Sequence, residues 1–321
     1  MKLGNVLWPL VGAGAVAVSG WILWQELQTI SLADVTGHLR AITPWHWAAA
    51  FAATVLAYAA LAGYDRIALR HLGKTVPWRF IALCSFTTYA LAHNIGASVF
   101  SGAVVRYRAY SSRGLTASEI GILVALCSFT FGLGTVLLGG VVLILRPDLG
   151  ARFVPGMPDG ASLALGAGML ALIALYVLGS WLHFKPLRLR RVEIFYPRLP
   201  VVGRQLLVGP LELIGAAGII HFALPDAGHP GFLVILGIFL ASFTIALLSH
   251  APGGIGVLEA VFLLRLPEMD PAGVLAALLV FRLLYLLIPF ALSLVVVLAF
   301  ERAQIKAWMG GKRAPATPPA D

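Results

Sequence analysis

The chain has 321 residues, 60% of them hydrophobic and 12% charged, with a mean hydropathy of +0.90 and a formal net charge of +9. A soluble domain carries about a quarter charged residues, and the apolar runs here are too many and too long for a buried core, so the composition defines a polytopic membrane protein. The positive charge does not mark a nucleic-acid surface, because Lys and Arg sit in loops and tails between the apolar runs, as cytoplasmic retention of basic loops produces.

Residues 5–24 form the first predicted span; no A-x-A-like site follows, so they read as a retained helix and not a cleaved signal. Residues 31–44 are predicted to form an amphipathic surface helix on the outer face. The second span covers 47–64 and ends at Asp65 and Arg66, where Asp65 by itself reads as an interfacial charge. The loop to residue 79 holds Arg66, Arg70, Lys74 and Arg79 and is therefore assigned to the cytoplasm. Further spans are predicted at 118–145, 161–183, 205–224 and 273–300, each long enough at about 1.5 Å per residue to cross about 30 Å of hydrocarbon. Thr116 and Glu119 have capping-box spacing at the start of 118–145. The 185–204 loop carries six basic residues and is cytoplasmic; the 146–159 loop balances two Arg against two Asp, and 224–230 has no Lys or Arg, so both are placed outside. Glu301, Arg302, Lys306, Lys312 and Arg313 place the C-terminus inside, and residues 305–321 read as a disordered cytoplasmic tail.

Two further segments, 81–108 and 238–265, are copies of one another. Laid together without a gap they agree at 11 of 28 positions, where apolar composition alone gives roughly two or three. Each runs apolar, reaches a histidine, and breaks: His93-Asn94-Ile95-Gly96 in the first, His250-Ala251-Pro252-Gly253-Gly254 in the second. If the first crossed fully, Arg106, Arg108 and Arg113 would face outward, against the charge rule; a segment that enters from the cytoplasm and turns back keeps all three inside. Three full spans separate the copies, so the second hairpin enters from the opposite leaflet. The predicted fold is thus an all-α polytopic membrane protein of two inverted-topology repeats, about 1–146 and 159–304. Each has two spans, a re-entrant broken-helix hairpin and a closing span. The 231–249 stretch is also long enough to span outright. Non-helical backbone at membrane depth survives only if buried in protein or lining a wet cavity, and paired interrupted segments point to a transporter's central site.

Ionisable groups inside apolar segments are costly and mark candidate sites. Glu259 starts the returning arm of the second hairpin, where a helix N-terminus favours an anion. Arg106 and Arg108 end the first hairpin at headgroup level, where a guanidinium can grip a lipid phosphate bidentately. Glu212 and Arg282 lie inside spans, suited equally to an ion pair or to substrate contact. His93 and His250 occupy matching positions; Asn94 can satisfy backbone groups loosened by the break. Cys84 and Cys127 lack metal-ligand spacing and read as packing residues. Gly132, Gly134, Gly139 and Gly140 are spaced for helix packing. No P-loop, G-x-S-x-G, H-E-x-x-H or dinucleotide fingerprint occurs, so no cofactor, metal or catalytic constellation is expected.

The run from His93 through Gly102-Ala103-Val104-Val105-Arg106-Tyr107-Arg108-Ala109-Tyr110 to Arg113-Gly114-Leu115-Thr116 resembles the first signature of the lysylphosphatidylglycerol synthase transmembrane family, which includes the flippase half of multiple peptide resistance factors. Pro252-Gly253-Gly254-Ile255-Gly256-Val257-Leu258-Glu259 is similar to its second signature. The resemblance implies functional roles for Asp65, Arg106, Glu212 and Glu259. Bifunctional members add further spans and an aminoacyl-transferase domain, which this sequence lacks, so it implies a stand-alone flippase-like domain and not an enzyme. The expected substrate is a phospholipid, such as an aminoacylated phosphatidylglycerol, moved between leaflets of the bacterial cytoplasmic membrane. Arg106 or Arg108 would hold its phosphate, and Asp65, Glu212 and Glu259 would face an amine. Protonation of Glu212 or Glu259 offers a coupling to ions. A homo-oligomer or a separate lipid synthase stays open as partner. Two rival readings stand: a membrane enzyme with His93 or His250 as base, and a non-transporting subunit of a lipid-synthesis complex.

Overall fold

The computed structural model describes residues 31–95, 98–182, 187–189, 192–194, 197–249 and 254–311. Apart from one short ladder, it is helical throughout. Helix α1 (Leu32–Ala41) opens on a capping box in which Ser31 and Asp34 bond reciprocally. Those bonds from Ser31 hold the Asp34 carboxyl below its usual pKa. Thr43 caps α2 (Pro44–His71), with Pro44 in its first turn where no N–H is needed. Then come α3 (Trp78–Ile95), α4 (Ser98–Ser111) and α5 (Ala117–Leu145), the last begun by the Thr116–Glu119 capping box. A short α6 (Leu149–Phe153) leads to α7 (Asp159–Trp181). Strands β1 (Leu187–Leu189) and β2 (Val192–Ile194) pair antiparallel. They precede α8 (Leu199–Ala223), α9 (Phe232–Ser249), α10 (Val257–Arg265) and α11 (Pro271–Phe281). One π-helical turn, Arg282–Leu287, joins α11 to α12 (Ile288–Gly311).

Among the described residues five helices are long and apolar enough to cross a membrane: α2, α5, α7, α8 and the continuous Pro271–Ala299. They coincide with five of the six predicted full spans; the first, residues 5–24, lies outside the described residues. Two boundaries differ from expectation. Helix α2 continues past Tyr64 to His71, so Asp65 lies within the helix and is buried there. Helix α12 continues to Gly311, so residues 305–311 are helical; residues 312–321 lie outside the described residues.

The predicted breaks separate α3 from α4 and α9 from α10, and the members of each pair pack on one another. Gly102 on α4 lets that happen in the first pair: a Cβ there would lie 3.2 Å from Thr88 Cγ2 on α3. In the second, Gly254 and Gly256 take φ of 63° and 84°, a backbone region that glycine enters without strain.

Side-chain ties sort the loops into two groups. Lys74 pairs with Glu119 at 2.8 Å, Arg66 lies over the Trp78 ring and Arg113 over Phe80, which gathers the end of α2, both outer ends of the α3/α4 pair and the start of α5. Elsewhere His38 bonds Asp270 at 2.6 Å and Arg152 pairs with Glu268 at 2.8 Å. Arg152 and Arg265 also each donate to the other's backbone carbonyl. These contacts gather α1, α6, the end of α10 and the start of α11. The 28 residues of α2, about 42 Å of helix, separate the two groups.

Small residues draw the long helices together. A Cβ on Gly134 of α5 would lie 2.6 Å from the Gly209 carbonyl carbon of α8, and Gly140 packs against Gly166 and Leu170 of α7. Nothing lies within 4 Å of the corresponding point on Gly132. Beside this seam runs a polar chain, Tyr176 Oη to Gln205 Oε1 at 2.8 Å and Gln205 Nε2 to Thr130 Oγ1 at 3.0 Å.

Candidate functional site

Asp65 on α2 is fully buried and meets Arg106 on α4 through two hydrogen bonds, Nη2 to Oδ1 at 2.7 Å and Nε to Oδ2 at 3.3 Å. Tyr110 Oη donates to Oδ2 at 2.9 Å, and Cys127 Sγ donates to Oδ1 at 3.4 Å. The guanidinium also lies 4.8 Å from the centroid of Tyr89. Arg106 is thus turned into the bundle, with 4% of its surface exposed. Arg108, two residues on and therefore about 200° around the helix, is exposed. A phosphate held by Arg106 would have to share it with Asp65.

Glu212 sits midway along α8, 2% exposed. Tyr285 Oη donates to its Oε1 at 2.7 Å and Tyr64 Oη lies 3.5 Å from its Oε2. Among the described residues no Lys, Arg or His pairs with it. Tyr64 is the neighbour of Asp65 and makes an edge contact with Tyr89, so the Glu212 and Asp65 groups adjoin.

Glu259, in the first turn of α10, accepts from the Gly256 N–H at 2.9 Å and from Arg282 Nε at 2.6 Å. The backbone bond is what an acid at a helix N-terminus makes. Arg282 Nη2 reaches Glu259 as well, and Gly254 O at 3.4 Å. Arg282 begins the π-helical turn, and three residues on stands Tyr285.

His93, at the inner end of α3, stacks on the Tyr285 ring at 5.3 Å and 22°, and its Nδ1 is buried without a hydrogen-bond partner. Asn94 donates to Ala90 O at 2.8 Å and to Leu286 O at 3.1 Å, so the loosened carbonyl it serves belongs to the π turn as well as to its own helix. The structure therefore joins Asp65 with Arg106, Glu259 with Arg282, and Glu212, His93 and Asn94 with the π turn; Arg108 is exposed, and His250 lies outside the described residues. Sequence reasoning missed the tyrosines. Tyr58, Tyr64, Tyr89, Tyr110 and Tyr285 supply most of the polar and ring contacts around these charges, and their only sequence signal is an amphipathic aromatic inside a span. Among the described residues no cluster of His, Cys, Asp and Glu is arranged to hold a metal ion.

Fold and site together define a multi-span helical membrane protein whose buried charges gather beside two broken helical pairs. The description "lysylphosphatidylglycerol synthase TM region" matches residues 12–293. The chain belongs to this family. It is 29% identical over 306 residues to a Synechocystis protein named uncharacterized protein slr0712, covering 94% of each chain. It is 30% identical over 254 residues to the inner membrane protein YbhN of Escherichia coli, covering 77% of each.

Proposed function

We propose that this protein is a lipid translocase of the bacterial cytoplasmic membrane, passing a phospholipid headgroup between leaflets along the space bounded by the two helical pairs. Glu212 carries this reading. A carboxylate held by tyrosine hydroxyls alone, at the middle of a spanning helix, is costly. It is suited to a cation that arrives and leaves, either an amine on the headgroup or a proton. Asp65–Arg106 and Glu259–Arg282 are already neutral as pairs, so they suit opening and closing better than standing recognition. A phosphate would displace a carboxylate from Arg106, and an amine would settle at Glu212.

The two halves are read as inverted repeats, with α3/α4 entering from the cytoplasm and α9/α10 from outside. The grouping of loop contacts and the position of Arg66, Arg70, Lys74, Arg79 and Arg113 support that orientation, with both termini inside.

The test is headgroup-specific leaflet exchange in proteoliposomes holding only this protein. Wild type should exchange an aminated phospholipid. Glu212→Gln should slow it by roughly ten- to a hundred-fold, the cost of losing a charge-assisted bond of about 1.5–3 kcal/mol. Absence of exchange by wild type would sink the proposal, and chemical turnover of the lipid would select the enzyme reading instead.

A further inference from the structure

The π-helical turn Arg282–Leu287 joins Glu212 to both broken helical pairs. Arg282 bonds Glu259 on α10, and Tyr285 Oη bonds Glu212 on α8. The Tyr285 carbonyl accepts from Tyr58 of α2 at 2.9 Å, and the Leu286 carbonyl from Asn94 of α3. His93 lies against the Tyr285 ring. These five partners, on four helices, converge on six residues, and they include the inner ends of both broken pairs.

π turns are rare, and they frequently mark functional positions. Converting this one to α geometry would turn the helix beyond it by about 100° and shift it by about 1.5 Å relative to Arg282. Arg282 could then keep Glu259 only if Tyr285 and Leu286 left Glu212 and Asn94, or the reverse. An α-helical arrangement of the segment would therefore keep the contacts to one helical pair at the expense of those to the other. A two-state element is the physical basis for coupling between sites.

We infer that the π turn couples the two helical pairs, with Tyr285 as the positioning residue that ties Glu212 to that coupling. The purpose of the coupling rests on the translocase reading. Its measurement does not.

The test is hydrogen–deuterium exchange of the full-length protein in detergent micelles. Glu259→Gln weakens the Arg282 contact and touches nothing on α3. Exchange should rise by roughly five-fold or more in residues 257–265 and also in residues 88–95. Coupling is reciprocal, so the milder Asn94→Ala should raise exchange in residues 257–265. Arg152→Gln loosens the other end of α10 without touching the π turn, and its effect should stay out of residues 88–95. Tyr285→Phe keeps the ring stack but loses the Glu212 bond; it should slow lipid exchange while leaving the ranking of headgroups unchanged. The inference is overturned if Glu259→Gln and Asn94→Ala each act only on their own helical pair, or if Arg152→Gln loosens residues 88–95 as strongly as Glu259→Gln does. If lipid exchange is absent from wild type while the amide coupling is present, the translocase reading fails and the coupling stands.

Discussion

Asp65 and Arg106 hold one another bidentately at a point where neither reaches solvent, one on a spanning helix and the other on the returning arm of a broken pair. Removing one partner of such a pair leaves an unpaired buried charge and costs about 3–5 kcal/mol, whereas replacing both by apolar residues is often neutral. Asp65→Asn and Arg106→Met should therefore each lower the thermal unfolding temperature in detergent sharply, and the double variant Asp65→Leu with Arg106→Met should recover most of the loss. If the recovered double variant still exchanges no lipid, the pair has a role in transport beyond stability. Full exchange by it would make the pair purely structural.

Topology gives a second outcome to check. Ser111 and Pro267 are exposed, at the outer ends of the two broken pairs. Cysteines placed there should react with an impermeant thiol reagent from opposite sides of the membrane. The native Cys84 and Cys127 are buried and should contribute little background. Labelling from one side would end the inverted-repeat reading.

Headgroup selectivity separates Arg106, Glu212 and Glu259. Arg106→Ala should weaken exchange of every phospholipid, because each carries the phosphate. Glu212→Gln should fall hardest on aminated lipids. Glu259→Gln should slow aminated and non-aminated lipids alike, because Glu259 is committed to Arg282 and the Gly256 N–H. An amine-selective defect in Glu259→Gln would return a recognition role to Glu259, one of the three acids expected from the sequence to face the amine.

The glycine seam makes a stability prediction. Gly134→Ala would drive a methyl group into the Gly209 backbone, an overpacking that costs about 1–3 kcal/mol. Gly132→Ala, two residues away, meets nothing within 4 Å and exchanges a poor helix former for a good one. The first should lower the unfolding temperature in detergent and the second should hold or raise it. Equal behaviour would mean that α5 and α8 can separate freely.

The breaks were legible because they carry punctuation: an asparagine and glycine after His93, and a proline with glycines after His250. The spans were legible because hydropathy and loop charge report them directly. Partners were harder to read. Asp65 and Arg106 are 41 residues apart in the chain, and each alone reads as an interfacial charge, so only the fold, which packs α3 on α2 and α4 on α3, makes them a pair. The π turn left no trace either, since Arg282-Leu-Leu-Tyr-Leu-Leu reads as an ordinary apolar helix. Tyrosine hydroxyls such as those of Tyr64 and Tyr285 vanish into hydropathy, which counts the ring and not the oxygen.

The reciprocal arginine contact beside α6 has a mechanical consequence. With Arg152 and Arg265 each bonded to the other's carbonyl and Arg152 also paired to Glu268, the outer end of α10 is pinned. A pinned end acts as a fulcrum, and the nine residues of α10 form a lever about 13 Å long. Tilting that lever by about 10° would carry its inner tip about 2 Å, by simple geometry on the rise of the helix. Glu259, about 9 Å from the pinned end, would move by about 1.6 Å, enough to stretch its bond to Arg282 beyond hydrogen-bonding distance while leaving the outer end untouched, so a very small rocking motion would part the pair.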